Sequence, residues 1–478
     1  MVTAVLRAKI DDLTREIGRQ LQVLHDLEAS KRALQAELAR VAVFPVWTLP
    51  PELLSEVFVH CLNEDAWLDP EDAPLVLMRV CRLWAQVAAA TPALWRALRL
   101  CLGDWDDDEL LGIMQTWFCS GRKTPLKVIL AGDLSQVDLP TFMATLQRYA
   151  PYIWSLTIDL TARNLLLLQP YSLEMSQLRE LEITVEDDED DGQYADPVEL
   201  RDVFVGTSQL VKVNVDQILP SSITLPWTQI TTFQCFDYFL DEVLEVLCLI
   251  PTLLSLEVTL GIEYNRDPSR EKVTHTHLKN LIVMEQERLE RRDTPHLLHF
   301  LTLPNLESLK TEEMEESTLR FFMQRSGYPP FKSMQVNLVG LPYQCHGVCK
   351  SILPHLAGLD DLSLSCPSLP FAQAFFSGLA VRQSFVPRLK RLAIAYDELT
   401  ISSQQALVSM LELFGQAVGD RNLLSQIAPV ERLTAVSFTV KLSELATLRI
   451  PESSLVYYKR LIDDGVEVHV GTAQESLL

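Results

Sequence analysis

One spacing pattern, repeated down most of the chain, limits the available folds more than any other feature. From residue 153 onward an apolar side chain is followed by two residues, a second apolar one, a single residue, and a third apolar one. The units are Ile153-Leu156-Ile158, Leu178-Leu181-Ile183, Leu210-Val213-Val215, Ile230-Phe233-Cys235, Leu253-Leu256-Val258, Leu278-Leu281-Val283, Leu306-Leu309, Phe331-Met334-Val336, Leu359-Leu362-Leu364, Leu389-Leu392-Ile394 and Leu433-Val436-Phe438. Most successive starts lie roughly 20 to 32 residues apart, the interval of a repeat array. The alternation closing each unit predicts a short strand with every second side chain inward. Helical stretches are expected between units, for example at Asp241–Leu249 and Thr318–Gln324. One such unit cannot bury its own apolar face, so neighbours must stack. Leu98-Leu100-Leu102 and Leu126-Val128-Leu130 read as earlier strands, and Gly465–Val470 as a closing one.

The same alternation says which side chains leave the strands on the opposite face. They include Glu180, Glu182 and Thr184; Lys212, Asn214 and Asp216; Ser255, Glu257 and Thr259; Ser308, Lys310 and Glu312; Ser333, Gln335 and Asn337; and Asp361, Ser363 and Ser365. Together they make a polar, mildly acidic strip. Glu180, Glu182, Lys212, Asn214, Asp216, Glu257, Lys310, Gln335 and Asp361 are its candidate contacts with a target protein, although plain solvation accounts for any one of them. The acidic run Glu186–Asp191 between two units reads as a solvated loop.

Period and pattern resemble those of leucine-rich repeats. That resemblance implies an α/β solenoid over residues 101–474, curved, with strands lining its concave side. The units depart from the standard repeat: its asparagine is missing from most of them, and the interval from Leu389 to Leu433 is long. A mixed α/β domain that is not a horseshoe is the alternative these residues leave open.

The first 44 residues follow another rule. Ala4–Val43 contains no proline, and its one glycine is Gly18. Ile10, Ile17, Leu24 and Leu38 form one heptad series; Leu6, Leu13, Leu27, Leu34 and Val41 form the other. Spacings of three and four put both on one seam of a helix that Pro45 ends. Gln20 and Lys31 interrupt the seam. Self-association through residues 4–43 as a coiled coil, and packing of an amphipathic helix on its own chain, are both open.

Between helix and repeats lies the segment Trp47-Thr48-Leu49-Pro50-Pro51-Glu52-Leu53-Leu54-Ser55-Glu56-Val57-Phe58. Thr48 or a neighbour can cap a helix here, the prolines suit its first turn, and Glu52 favours its positive end. A polar loop, Asn63–Asp72, leads to a second helix carrying Leu75, Val76, Leu77, Val80, Cys81, Leu83, Trp84 and Val87. Thr91-Pro92 opens a third, short helix with Leu94 and Trp95. Three short helices with this much apolar surface need a partner or a neighbouring domain to cover it.

This segment, 47–100, resembles the F-box family, in particular the F-box-like modules abundant in mushroom-forming fungi. Leu49-Pro50-Pro51-Glu52-Leu53-Leu54, Val57-Phe58, Val80-Cys81-Arg82-Leu83-Trp84 and Thr91-Pro92-Ala93-Leu94-Trp95 carry the likeness. It implies docking onto a Skp-type adaptor and, through that, a cullin–RING core. The implied adaptor contacts are Leu49, Pro50, Leu53, Leu54, Val57 and Phe58, with Val80, Cys81, Trp84 and Trp95 as core or rim. The fold class expected overall is a mainly α N-terminus followed by a leucine-rich-repeat-like α/β solenoid.

Charge and composition exclude several functions. There are 41 Lys and Arg against 64 Asp and Glu, a formal net charge of −23, which disfavours phosphate backbones and anionic membranes. Nine scattered cysteines, mostly among aliphatic neighbours, read as reduced thiols of the cytoplasm or nucleus. Neither a signal peptide nor a membrane-spanning run is expected. With 17 glycines phosphate-cradling loops are scarce, and no Gly-x-Ser-x-Gly elbow occurs. Cys345-His346-x-x-Cys349 is the one tight ligand cluster and falls short of the four ligands of a structural zinc site. His275-x-His277 and His296-x-x-His299 lack a carboxylate motif. The Asp104–Asp108 cluster reads as a helix start and Arg288–Arg292 as a salt-bridged helix face. No cofactor, metal or catalytic residue is therefore assigned. The sequence favours a non-catalytic substrate-recognition subunit of a ubiquitin ligase. A scaffold outside ubiquitin transfer is the alternative, and an enzyme on an irregular α/β fold the third reading.

Overall fold

Fourteen parallel strands, hydrogen-bonded side by side in strict chain order, carry most of the protein. They are seen in a computed structural model that describes residues 2–41, 49–62, 72–103, 105–121, 124–186, 198–261, 272–285, 295–312, 316–337, 353–365, 369–397, 404–441, 450–472 and 475–478. The chain divides into two units, Met1–Leu94 and Trp95–Leu478.

The first unit is helical. Helix α1 runs over Val2–Val41, as the heptad spacing and the absence of proline predict. Helix α2, Pro51–Val59, starts on Pro50 with proline in its first turn, and no side chain caps it. The Thr48 cap lies outside the described residues. The single second helix expected from the apolar spacing is two, α3 (Leu75–Val80) and α4 (Arg82–Ala90). Cys81 separates them with extended dihedrals, φ −161° and ψ 169°, and its carbonyl accepts from the Ala85 amide at 2.9 Å, so it serves as the N-terminal cap residue of α4. An unbroken helix would bring Leu77, Val80, Cys81 and Trp84 onto one face. The break keeps Leu77, Val87 and Ala88 inside and turns Val80 and Cys81 out to solvent. A 3₁₀ turn at Pro92–Trp95 takes the place of the third short helix.

The sheet strands are β1 (Ala97–Leu102), β2 (Leu126–Gly132), β3 (Ile153–Thr161), β4 (Glu180–Glu186), β5 (Lys212–Asp216), β6 (Thr232–Tyr238) and β7 (Ser255–Leu260). They continue as β8 (Asn280–Glu285), β9 (Ser308–Thr311), β10 (Ser333–Asn337), β11 (Asp361–Ser365), β12 (Arg391–Asp397), β13 (Ala435–Lys441) and β14 (Glu467–Gly471). Every apolar-x-apolar pair of the repeating pattern falls inside one of them. Register aligns the pairs: Leu156 stands beside Leu181, Leu181 beside Val213 and Val213 beside Phe233. Burial alternates accordingly, as in intermediate–buried–intermediate–buried along β11. One face of the sheet is thus buried and the other part-exposed.

Helices fill most of those crossovers: α5 (Asp107–Gly121), α6 (Leu139–Tyr149), α7 (Ala162–Leu166), α8 (Leu240–Leu249), α9 (Glu316–Arg325), α10 (Leu369–Val381), α11 (Gln404–Leu424) and α12 (Glu452–Asp463). α8 and α9 sit where the sequence expects helices, and α11 accounts for the long interval from Leu389 to Leu433. Elsewhere the described residues of the connections include 3₁₀ turns and two short strand pairs, Leu173–Glu174 with Phe204–Val205 and Val273–Thr274 with Leu301–Thr302. At Gly132, which ends β2 at φ +95°, a Cβ would meet the Leu102 carbonyl oxygen at 2.5 Å, so the strand exit requires glycine. The architecture on view is a helical N-terminal region followed by a mixed α/β unit built on one large parallel sheet.

Candidate docking surfaces

Helix α2 carries two apolar stripes, and among the described residues one is buried and the other exposed. Leu54 and Phe58, four residues apart, are each 1% exposed, and the Phe58 ring lies 4.8 Å from that of Trp84. Leu53 and Val57, also four apart, form the other stripe and are 55% and 50% exposed. Cys61, one turn further on, is exposed too. The helix therefore shows apolar side chains to solvent beside those it supplies to the core.

The remaining residues expected at an adaptor divide in the same way. Pro50 is exposed and Leu49 half-buried. Val80 is 54% exposed and Cys81 exposed. Trp84 is half-buried. Trp95 is wholly buried in the second unit, edge-on to Trp117 with ring centroids 4.9 Å apart. Leu54, Phe58 and Trp95 are therefore support rather than surface in this structure. Two neighbouring stripes of a helix share the same three–four spacing, so sequence alone could not divide them.

The wet face of the sheet gathers the target candidates into lateral rows. Strand pairing sets Thr157, Glu182, Asn214, Gln234, Glu257, Ile282, Lys310, Gln335, Ser363, Ala393, Ser437 and His469 side by side. Glu180, Lys212 and Asp361 belong to the row two residues earlier, and Asp216 to the row two residues later. Many of these groups are already paired along the face. Glu182 accepts from Asn214 at 2.8 Å and from Thr157 at 3.2 Å. Glu257 accepts from Gln234 at 2.6 Å. Asp361 receives both arms of Arg391. On the neighbouring edge Glu307 lies between Lys279 and Lys332, and these cations hold its carboxyl below the usual carboxylate range.

Toward the C-terminal strands this face forms a hollow of about 500 Å³. Gln335, Asp361, Ser363, Arg391, Ala393, Ala435, Ser437, Glu467 and His469 line it, from five successive strands. Gln335 and Asp361 are the two target candidates that reach it. Arg391, Ala393, Ser437 and His469 were missed by the strip read from sequence. Ala393 and Ser437 are small and make the depth, and the period-two pattern could have placed all four on this face.

The other motifs resolve into structure. His275 is buried, accepts from the Leu278 amide at 3.1 Å and lies 2.8 Å from the Ile250 carbonyl oxygen; burial lowers its pKa. His296 accepts from the Leu298 amide at 3.1 Å and meets Thr311 at 2.8 Å. His299 meets Thr318 at 3.0 Å. Asp107 opens α5 and accepts from the Asp138 amide at 2.9 Å. Among the described residues no group of three or more His, Cys, Asp or Glu could hold a metal ion, and no helix is long and apolar enough to cross a membrane. Cys345-His346-x-x-Cys349, the body of the acidic run after Glu186, and Arg288–Arg292 lie outside the described residues.

Compared with known families, residues 46–101 match the F-box-like domain. The chain as a whole matches no curated protein. The chain thus carries an F-box-like domain at residues 46–101. The domain implies a protein-interaction adaptor: F-box domains typically bind Skp-type adaptors, often within SCF ubiquitin ligases, and F-box proteins are generally non-catalytic.

Proposed function

We propose that the protein is the substrate-recognition subunit of an SCF-type, cullin–RING ubiquitin ligase working in the cytoplasm or nucleus. The observation that carries this reading is the exposed Leu53–Val57 stripe on α2 within the F-box-like region. In this reading Leu53 and Val57, with Pro50, Val80 and Cys81, meet a Skp-type adaptor. The chain-ordered parallel sheet is a leucine-rich-repeat solenoid whose wet face holds a target protein, centred on the hollow from Gln335 to His469. Catalysis belongs to the ligase core. This chain contributes proximity by holding a target lysine near the charged ubiquitin-conjugating enzyme.

The test is co-purification of the full chain with the Skp-type adaptor of the same organism, set against Leu53→Ala/Val57→Ala. Both substitutions fall on exposed side chains, so the variant stays folded by circular dichroism. Loss of a stoichiometric complex in that folded variant supports the reading. A chain that forms no complex makes the region a structural element, and a scaffold outside ubiquitin transfer becomes the better description.

A further inference from the structure

Helix α1 is 40 residues long, and its apolar seam faces solvent. Leu13, Ile17, Leu24, Leu27 and Leu34 are between 56% and 65% exposed. Leu21 at 62% and Val23 at 53% widen the apolar band near Leu24 and Leu27. A lone helix with such a band gains little from staying single, because tertiary burial supplies most of a helix's stability. The question is what covers the band, and the two polar seam residues answer it.

In heptad terms Ile10, Ile17, Leu24 and Lys31 occupy one core series, and Leu13, Gln20, Leu27 and Leu34 the other. A parallel pair in register puts Lys31 against Lys31 of the second copy, two like charges in one core layer. An antiparallel pair sets each series against the other. One register places Ile17 opposite Leu34 of the second copy, Leu24 opposite Leu27, and Lys31 opposite Gln20. Both polar residues then share a layer, twice by symmetry, and every layer between is apolar. Sliding by one heptad one way sets Gln20 against Leu24 and Lys31 against Leu13; the other way sets Lys31 against Leu27. A polar core residue of this kind selects register and orientation at some cost in stability.

We infer that α1 pairs with α1 of a second copy as an antiparallel two-stranded coiled coil in the Lys31–Gln20 register. The dyad falls between His25 and Asp26, where the band is widest. At the flank Glu16 comes near Glu37 of the second copy, and Arg19, 2.8 Å from Glu16, offsets that repulsion. At 1.5 Å per residue the C-terminal ends of the paired helices stand about 45 Å apart. The helix thus holds two F-box-like domains well separated rather than side by side. The inference is independent of adaptor binding.

Sedimentation of the full chain is expected to give twice the 54.1 kDa of one copy. Leu24→Gln/Leu27→Gln, on an exposed helix, leaves the circular dichroism of the rest intact and raises the dimer dissociation constant at least about a hundredfold. Orientation is read by cysteine cross-linking with peptide mapping, which separates new links from the exposed Cys61, Cys81, Cys119 and Cys248. Chains carrying I17C mixed with chains carrying L34C should link Cys to Cys between the two positions. I17C alone should not link to itself, since those sites lie about 25 Å apart. A monomer, a trimer, or an I17C self-link overturns the inference.

Discussion

Replacing the buried and the exposed stripe of α2 separately should have opposite consequences, although the residues involved are adjacent. Phe58 is 1% exposed and packs on Trp84, so Phe58→Ala removes a core ring and leaves a cavity. The cost is about 3–5 kcal/mol of local stability. Hydrogen exchange over α2 and α4 should then accelerate by roughly a hundredfold to a few thousandfold. Leu53 and Val57 are already half in water, and truncating them costs the free chain less than about 1 kcal/mol. On docking, each has about half its apolar surface left to bury, worth about 1 kcal/mol apiece. Leu53→Ala/Val57→Ala should therefore weaken adaptor binding roughly thirtyfold while exchange protection stays unchanged. Titration calorimetry with purified adaptor and exchange on the same samples read both quantities. If the double variant loses protection as Phe58→Ala does, or keeps full affinity, the division of α2 into support and surface is wrong.

Three further outcomes follow from single sites. The His275 pKa is depressed by burial, so the folded state keeps the ring neutral while the unfolded chain takes up a proton below about 6.5. Stability from this residue is complete above that pH and is lost as pH falls through the lower folded value; thermal melts of His275→Gln should show a shallower decline over the same range. Gly132→Ala forces a Cβ toward the Leu102 carbonyl at positive φ, and should cost about 2–4 kcal/mol by chemical denaturation; a neutral result would refute the close approach of β1 and β2. Tyr238 donates its buried hydroxyl to the Ile218 carbonyl, so Tyr238→Phe should lower stability by about 1–3 kcal/mol through the orphaned oxygen.

Much of this fold was legible in advance because strands bury every second residue. That period places the Leu181–Ile183, Leu362–Leu364 and Val436–Phe438 pairs without reference to anything distant. α1 was legible for the same kind of reason, a three–four spacing uninterrupted by proline. The break at Cys81 was not. No glycine or proline marks it, and the three–four spacing of Leu77, Val80, Cys81 and Trp84 reads as one continuous helix, so the extended Cys81 shows only in the folded chain.

Local periodicity thus determined where the strands and long helices lie, which side chains of a strand point the same way, and that residues 49–95 carry more apolar surface than a small module can use. Tertiary structure alone decided how that surface divides. It sent Leu54 and Phe58 inward and Leu53 and Val57 out, since two stripes of one helix differ only in what packs against them. It also made a hollow over Ser363, Ala393 and Ser437. Residues so far apart in the chain become neighbours only through parallel register, and side chains so small mark a site only by leaving room.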